Sequence, residues 1–411
     1  MVSEPLFQTS VEHFRNRIGG TTYARLIARL REVNHDIITR GIRPYAGSTL
    51  VTGYSYEEFY DWDLYFENLY LSHYGVSQYC RTNLEIFLER QLASGFVART
   101  LINPRQRQHF KPFLAQTALL GCRQTGDTRW LRGKYYDRLK KSIDYWFWFQ
   151  DYDKNGLAVW DSADHSGMDN QQSRAGVTDS MTVEGVDLNC YLVRELRAMA
   201  LLAQALDRGD DHDRYTAQAE SLAALVQHTF WDEGDGFYYD RDERQDALVR
   251  VKSVAGFIPL WLDTVTPERA RRVIATHLCN PDEFWLQYPI STYARTEPDY
   301  YQERTGDECN WRGTTWIPTN YMVFHGLLKH GYTDIAEDLA YKTFEMALRE
   351  TSTREYYNAE TGVGQGLNPF WGWSSLAYVM PLEFEMRHDP TELSLEPIAA
   401  PLRDMLSVKF E

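Results

Sequence analysis

A ring of antiparallel helical hairpins is the architecture that this 411-residue chain predicts, on three observations. Apolar residues recur at helical spacing along most of the sequence, strand signals are scarce, and the connections between periodic stretches alternate between short and long. An all-α fold follows, with the long loops gathered at one mouth of the ring.

The helical stripes are explicit. Leu192, Val193, Leu196, Met199, Ala200 and Ala203 lie on one face of a helix. Ile335, Leu339, Ala340, Thr343, Phe344 and Ala347 repeat the pattern. Comparable stretches lie at 21–38, 66–94, 109–125, 131–150, 212–231, 249–262, 266–278, 313–330 and 370–386, which gives about eleven or twelve helices. Gly236-Phe237-Tyr238-Tyr239-Asp240 reads as half of a short hairpin. Thr125-Gly126-Asp127 and Leu206-Asp207-Arg208-Gly209 are brief turns, whereas 39–60, 151–186, 281–310 and 351–369 are long and rich in Gly, Asp, Asn and aromatics. Long irregular loops in a compact protein are functional or disordered, and these carry too many rings for disorder. No Pro/Gly/Ser-rich linker divides the chain, so residues 1–411 read as one domain.

Composition narrows the chemistry. Aromatics reach 14% of the chain, enough to fill a ring-rich core and still line a site where flat faces stack on sugars. A net charge of −15, with no basic stripe, argues against a nucleic-acid partner. No apolar run is long enough for a bilayer, and Met1-Val2-Ser3-Glu4-Pro5 lacks the pattern of a signal peptide. Five widely spaced cysteines without Cys-x-x-Cys read as free thiols, and a cytoplasmic location is expected.

Five segments carry candidate chemistry. In Tyr60-Asp61-Trp62-Asp63 an acidic helix start explains the carboxylates. The functional reading makes Tyr60, Trp62 and Asp63 one wall of a sugar pocket, with the ring beneath and the carboxylate accepting from hydroxyls. Gln116, among apolar residues at a helix start, needs partners for its amide, and substrate hydroxyls could supply them. Ser166-Gly167-Met168-Asp169-Asn170 is an Asx turn with Gly167 at a special backbone angle, or a turn presenting Asp169 as general acid. Asn310-Trp311-Arg312-Gly313-Thr314-Thr315-Trp316 places Arg312 between two rings, for stability or for hydrogen bonding to substrate. Glu355, near a glycine-rich run and Trp371-Gly372-Trp373-Ser374, is the candidate base, with Glu360 as its rival.

Two carboxylates from distant loops set among aromatics are what hydrolysis of a glycosidic bond requires. Other chemistries lack their motifs: there is no Gly-x-Ser-x-Gly, no phosphate-binding glycine loop and no His-Glu-x-x-His. Asp151-x-Asp153-x-Asn155-Gly156 matches the front of a calcium loop, but Ser162 stands where the bidentate Glu belongs. Neither a metal nor a cofactor is expected.

Taken together, these segments resemble glycoside hydrolase family 63 and the trehalase-like glycosidases, nearest to the small bacterial mannosylglycerate and glucosylglycerate hydrolases. The resemblance rests on Tyr60-Asp61-Trp62-Asp63, Ser166-Gly167-Met168-Asp169, Asn310-Trp311-Arg312-Gly313 with Trp316, and Glu355-Tyr356-Tyr357-Asn358 with Thr361-Gly362, in that order. It implies an (α/α)6 barrel, a six-hairpin toroid, and inverting hydrolysis in which Asp169 protonates the leaving oxygen and Glu355 activates water. The two carboxyls should then stand about 6.5–9.5 Å apart. Thr314, Ala359 and Gln171-Gln172-Ser173-Arg174 depart from the family pattern, on the acceptor side. The implied substrate is a small α-glycoside, 2-O-mannosylglycerate or 2-O-glucosylglycerate, with Arg312 and Arg174 as cations for the glycerate. The alternatives are an α-glucosidase or trehalase acting on small gluco-oligosaccharides, or a non-catalytic sugar-binding protein. Beyond the glycoside no nucleic-acid or membrane partner is expected, and the sequence allows a homo-oligomer.

Overall fold

The computed structural model describes residues 4–53, 58–104, 107–303 and 309–405. Helices α1 (Glu4–Ile18) and α2 (Gly20–Asp36) precede a hairpin of β1 (Ile42–Tyr45) and β2 (Ser48–Val51). Four helices follow: α3 (Asp61–Ser72), α4 (Gln78–Glu89), α5 (Leu114–Thr125) and α6 (Lys134–Phe149). The short α7 (Ala163–Ser166), α8 (Gln172–Ala175) and β3 (Val183–Glu184) lead to α9 (Val186–Ala205) and α10 (Gly209–Thr229). Next come β4 (Trp231–Asp232), β5 (Phe237–Tyr238), β6 (Asp240–Asp242), β7 (Ala247–Val249), a 3₁₀ segment at Val254–Trp261 and α11 (Pro267–Val273). The chain continues through α12 (Ile317–Lys329), α13 (Thr333–Arg349), β8 (Tyr356–Tyr357), β9 (Gly364–Gln365), a 3₁₀ segment at Trp373–Tyr378, α14 (Met380–Met386) and α15 (Pro401–Met405).

Burial sorts these elements into two concentric layers. Every residue of α3 and of both 3₁₀ segments is buried, as is nearly all of α5, α9 and α12. These six segments form the inner wall. The amphipathic α4, α6, α10 and α13 bury one stripe each and form the outer wall with α11 and the first two helices. The ring closes where α1 packs on α14, and α2 on α13. An inner helix, covered on all sides, is buried around its circumference and must find protein partners for the polar groups it carries, such as Asp61 of α3 and Glu195 of α9, whereas an outer one needs only an apolar stripe. Helix ends carry their own signals: Thr266 accepts from the Arg269 N–H ahead of Pro267, and Gly126 ends α5 at φ +69°. No helix among the described residues is long and apolar enough to cross a membrane.

Several boundaries differ from the periodicity. The stretch 66–94 is two helices, split at a turn where Gly75 adopts φ +71°. Residues 247–249 join a strand, and Pro259, which lacks an N–H, sits in a 3₁₀ segment rather than an α-helix. The stretch 313–330 becomes helical only at Ile317, with Pro318 in its first turn. Outside the expected set is α1, although Phe7, Val11, Phe14 and Ile18 have helical spacing; the first three are buried.

One polar knot ties inner and outer elements. Glu383 of α14, fully buried, accepts from His73 Nε2 at 2.7 Å, Tyr321 Oη at 2.9 Å and His325 Nε2 at 3.0 Å. His325 Nδ1 stands 3.2 Å from Asp389.

Candidate active site

All four long loops deliver residues to one cavity of roughly 550 Å³, part of it open to solvent. Tyr60 comes from the first loop, Asp164, Gly167 and Asp169 from the second, Cys309 from the third and Glu355 from the fourth. Such a volume suits a small ligand.

The Asp169 turn is built by local hydrogen bonds. Ser162 caps α7 by accepting from the His165 N–H at 3.0 Å, and Gly167 stops the helix at φ +81°. Ser166 Oγ donates to the Ala163 carbonyl at 2.6 Å and accepts from the Met168 N–H at 3.1 Å. Met168 is fully buried, which turns its neighbour Asp169 outward to the cavity. Asn170 then donates to Tyr301 Oη and accepts from the Trp311 N–H, each at 2.8 Å. Gln171 Nε2 donates to the Thr292 and Trp311 carbonyls, both at 3.0 Å. The acid is thus presented by a turn bolted at both ends.

Gly167 also admits Trp62. A Cβ at position 167 would lie 2.6 Å from Trp62 Cζ2, against a ring packed among Phe66, Trp311 and Trp373. Gly167→Ala combines this clash with strain at positive φ, and an expected cost of about 2–4 kcal/mol follows. Thermal melting and kcat/KM should fall together; an unchanged Tm would show that the turn relaxes freely.

Charge in the wall is strongly organised. Asp61, fully buried, accepts from the Lys111 N–H at 3.0 Å and from Lys111 Nζ at 3.1 Å, with Arg99 Nε 3.8 Å away. Burial favours its neutral form, but Lys111 and Arg99 prevail and its pKa is lowered. Burial and Arg99 pull Lys111 down, whereas Asp61 favours its charged form. Asp63, two residues along the same helix and facing the cavity, goes the other way: burial and the Asp61 charge raise it to about 8. Asp169 is raised to about 7, first by the protein surrounding it and then by Asp164, with Arg99 and Lys111 opposing. The side chain also meets cavity water, which offsets part of that effect.

Glu355 is held differently. Only 7% exposed, its Oε2 accepts from the Leu367 N–H at 2.8 Å and its Oε1 lies 3.8 Å from the Cys309 thiol. Gly366 at φ +71° leaves room, since a Cβ there would collide with Oε2. The Glu355 carbonyl accepts from Trp373 Nε1 at 3.0 Å, fixing strand to floor. That floor is a stack in which Trp316 lies between Trp311, at 3.8 Å, and Tyr356, at 4.6 Å, with planes within 15°. Trp311 Nε1 is buried there without a hydrogen-bond partner.

Of the twelve residues singled out by sequence, Tyr60, Trp62, Asp63, Gly167, Asp169, Trp311, Glu355 and Trp373 line the cavity. Four do not. Gln116 donates to the Pro112 carbonyl and accepts from Arg194 Nε at 3.1 Å, so its partners are protein groups and not substrate. Arg174 is sealed between Asp187, at 2.6 Å, and Asp240, at 3.3 Å. Arg312 turns outward to Asp299 and stacks on Tyr301. Trp371 donates to the Thr52 carbonyl at 2.6 Å and serves as packing. Glu360 pairs with Tyr300 and Arg295 away from the cavity. Conversely, Arg99, Asp164, Cys309, Trp316 and Phe370 line it without having been singled out. Asp164 shares a turn with Asp169, a signal that proximity alone could have given. Arg99 reaches the wall through tertiary pairing, donating to the Asp164 carbonyl at 2.6 Å and covering the Tyr60 ring at 5.2 Å.

The chain is similar to known proteins over most of its length. Residues 56–374 match the model of the mannosylglycerate hydrolase MGH1-like glycoside hydrolase domain. Mannosylglycerate hydrolase from Rubrobacter radiotolerans is 28% identical over 204 residues, 49% of this chain and 44% of that protein. The enzyme of the same name from Thermus thermophilus is 31% identical over 186 residues, 44% of this chain and 40% of that one. The matched stretch therefore spans less than half of either relative. Among solved structures, a GH63 mannosylglycerate hydrolase from Thermus thermophilus in complex with glucose has a TM-score of 0.70 at 22% identity, covering 87% of this chain and 99% of that one. Neutral trehalase Nth1 from Saccharomyces cerevisiae has a TM-score of 0.64 at 15% identity, covering 86% and 80%. At such identities the likeness shows the (α/α)6-barrel fold.

Proposed function

Since the chain belongs to the mannosylglycerate hydrolase MGH1-like family of glycoside hydrolase domains, we propose that it hydrolyses a small α-glycoside with inversion, Asp169 acting as proton donor and Glu355 as base. The observation that carries this reading is the meeting of these two carboxylates, from separate loops, in one aromatic-walled cavity. Their surroundings suit different roles. Burial and the nearby Asp164 raise the Asp169 carboxyl, which favours the protonated form that a donor to a leaving oxygen needs. Glu355 is held in place by the Leu367 N–H that its Oε2 accepts, which fixes the carboxyl in the position that a base needs.

In the reaction Asp169 gives its proton to the glycosidic oxygen as the bond from the anomeric carbon breaks. Glu355 takes a proton from water attacking that carbon on the opposite face. Trp62 and Trp373 offer rings to the sugar, and Asp63 offers hydrogen bonds to its hydroxyls. The substrates proposed first are 2-O-α-mannosylglycerate, the compound in the names of the relatives, and its glucosyl counterpart.

The test is a panel of these two compounds with trehalose and small α-gluco-oligosaccharides, followed by proton NMR of the first product. Early release of the β-anomer from an α-glycoside is expected. Early α-anomer would overturn inversion, and preference for trehalose would move the substrate to the trehalase branch.

A further inference from the structure

Arg99 is the one cation among the described residues that line the cavity, where it shares the wall with Asp63, Asp164, Asp169 and Glu355. The two arginines expected to meet an anionic substrate are engaged elsewhere, Arg174 by Asp187 and Asp240, and Arg312 by Asp299. Lys111 is no substitute. Its side chain is fully buried, its ammonium is held by Asp61 at 3.1 Å, and it lies 5.0 Å from the centroid of the Trp62 ring. The charge left to meet a ligand is the Arg99 guanidinium.

That guanidinium has donors to spare. Arg99 is only 5% exposed, yet among the described residues its side chain makes one hydrogen bond, from Nη1 to the neutral Asp164 carbonyl at 2.6 Å. Its Nε is buried without a hydrogen-bond partner. The Asp61 carboxylate stands 3.8 Å from that Nε and is already bound by the ammonium and the N–H of Lys111. Asp164 Oδ2, 4.0 Å from Nη1, accepts from Gln108 Nε2 at 2.6 Å. An arginine carries five N–H donors, and leaving them out of water without acceptors is costly. Burial works against the charge, but Asp61, Asp164 and Asp169 prevail and hold Arg99 as a cation. The group is also fixed in advance. The Arg99 N–H donates to the Gln108 carbonyl at 3.0 Å, Ala98 bridges to His109 and Thr100 to Tyr60, and the guanidinium lies over the Tyr60 ring. A planar fork held in place matches the two oxygens of a carboxylate and loses little freedom on binding one.

We propose that Arg99 selects the substrate by charge: the glycoside carries a carboxylate, and the Arg99 guanidinium holds it. This rests on the hydrolytic role given to the cavity. The carboxylate belongs either to the leaving acid or to a sugar acid standing where a neutral hexose would. Arg99 serves both flanks, since its hydrogen bond runs to the turn that presents Asp169, and its ring partner Tyr60 adjoins the Trp62 and Asp63 wall. Without this cation an anionic substrate would meet acids alone, and like charges repel it.

The experiment titrates the full chain calorimetrically at pH 6 with D-glycerate and glycerol, for the leaving acid, and with D-glucuronate and D-glucose, for the sugar acid. One acid is expected to bind about 10–100-fold tighter than its uncharged counterpart, and the pair that shows the preference identifies the source. In Arg99→Gln that ratio should fall to near one. Arg99→Lys, which keeps the charge without the fork, should retain only part of it. A merely structural role would weaken acid and counterpart alike and leave the ratio where it was. No acid preference in the parent would overturn the assignment, and so would an undiminished ratio in either variant. The parent titration and the lysine variant decide even if Arg99→Gln fails to fold. None of the titrations needs turnover, so failure of the anion contact and failure of the hydrolytic reading are told apart.

Discussion

Asp169→Asn is expected to lower kcat by about 10²–10⁴-fold on whichever α-glycoside the parent cleaves best. Asparagine keeps the shape and the turn but has no proton to give. The pH profile separates this from a merely structural loss. With the Asp169 carboxyl raised to about 7, parental kcat/KM should fall as pH rises through that value, because the acid loses its proton. In Asp169→Asn the residual rate should lose this alkaline limb. Asp63, raised to about 8 by burial and by Asp61, is the other group able to produce such a limb. If the limb persists in Asp169→Asn and disappears in Asp63→Asn, the roles of the two must be exchanged. A substrate with an activated aryl leaving group, which needs little protonation, should recover much of the Asp169→Asn loss.

Glu383→Gln should destabilise the protein by about 3–5 kcal/mol, since it removes the buried anion that His73, Tyr321 and His325 all hydrogen-bond. For a chain of this length that corresponds to a Tm lower by about 4–6 °C. Buried Glu383 would tend to hold its proton, but the His325 and His73 hydrogen bonds prevail and its pKa lies below the ordinary value of 4.5. Burial opposes charge on His325, but Asp389 and Glu383 prevail and its pKa lies above 6.5. The signs define a window. A depressed carboxylate stabilises above its unfolded pKa and loses that contribution as pH falls through its folded value. A raised histidine stabilises below its unfolded pKa and loses that contribution as pH rises through its folded value. Parental stability should therefore decline on both sides of weakly acidic pH, and Glu383→Gln should flatten the profile. A variant with parental Tm at pH 6 would show that the knot contributes nothing.

Much of the ring was legible because burial writes itself into spacing. An inner helix such as α9 keeps a long run of apolar residues at helical spacing, and an outer one such as α13 keeps one stripe, so existence and type survive even where boundaries slip. The site was legible where chemistry and backbone coincide. Asp169 follows a glycine that only a left-handed turn requires, and Glu355 precedes a glycine that its own carboxylate excludes from bearing a side chain. Polar residues that serve the scaffold carry no such mark. Gln116 and Arg174 are as buried as any ligand-binding residue, and only their partners, Arg194 in one case and Asp187 with Asp240 in the other, reveal them as braces. Arg99 shows the converse. It stands in an unremarked Ala98-Arg99-Thr100 run and reaches the cavity because Ala98 bridges to His109 and Thr100 to Tyr60, pairings that no local pattern encodes.

The contact between Gly167 and Trp62 makes sugar specificity a two-position problem. The ring that would carry the sugar fills the space a side chain at 167 would need, so neither can be redesigned alone. Trimming Trp62 to widen the pocket would also loosen the hinge from which Asp169 is suspended. Gly167→Ala, harmful by itself, should be better tolerated in a Trp62→Phe background. Paired changes at these sites, 105 positions apart in the chain, are the natural starting library for retargeting the enzyme.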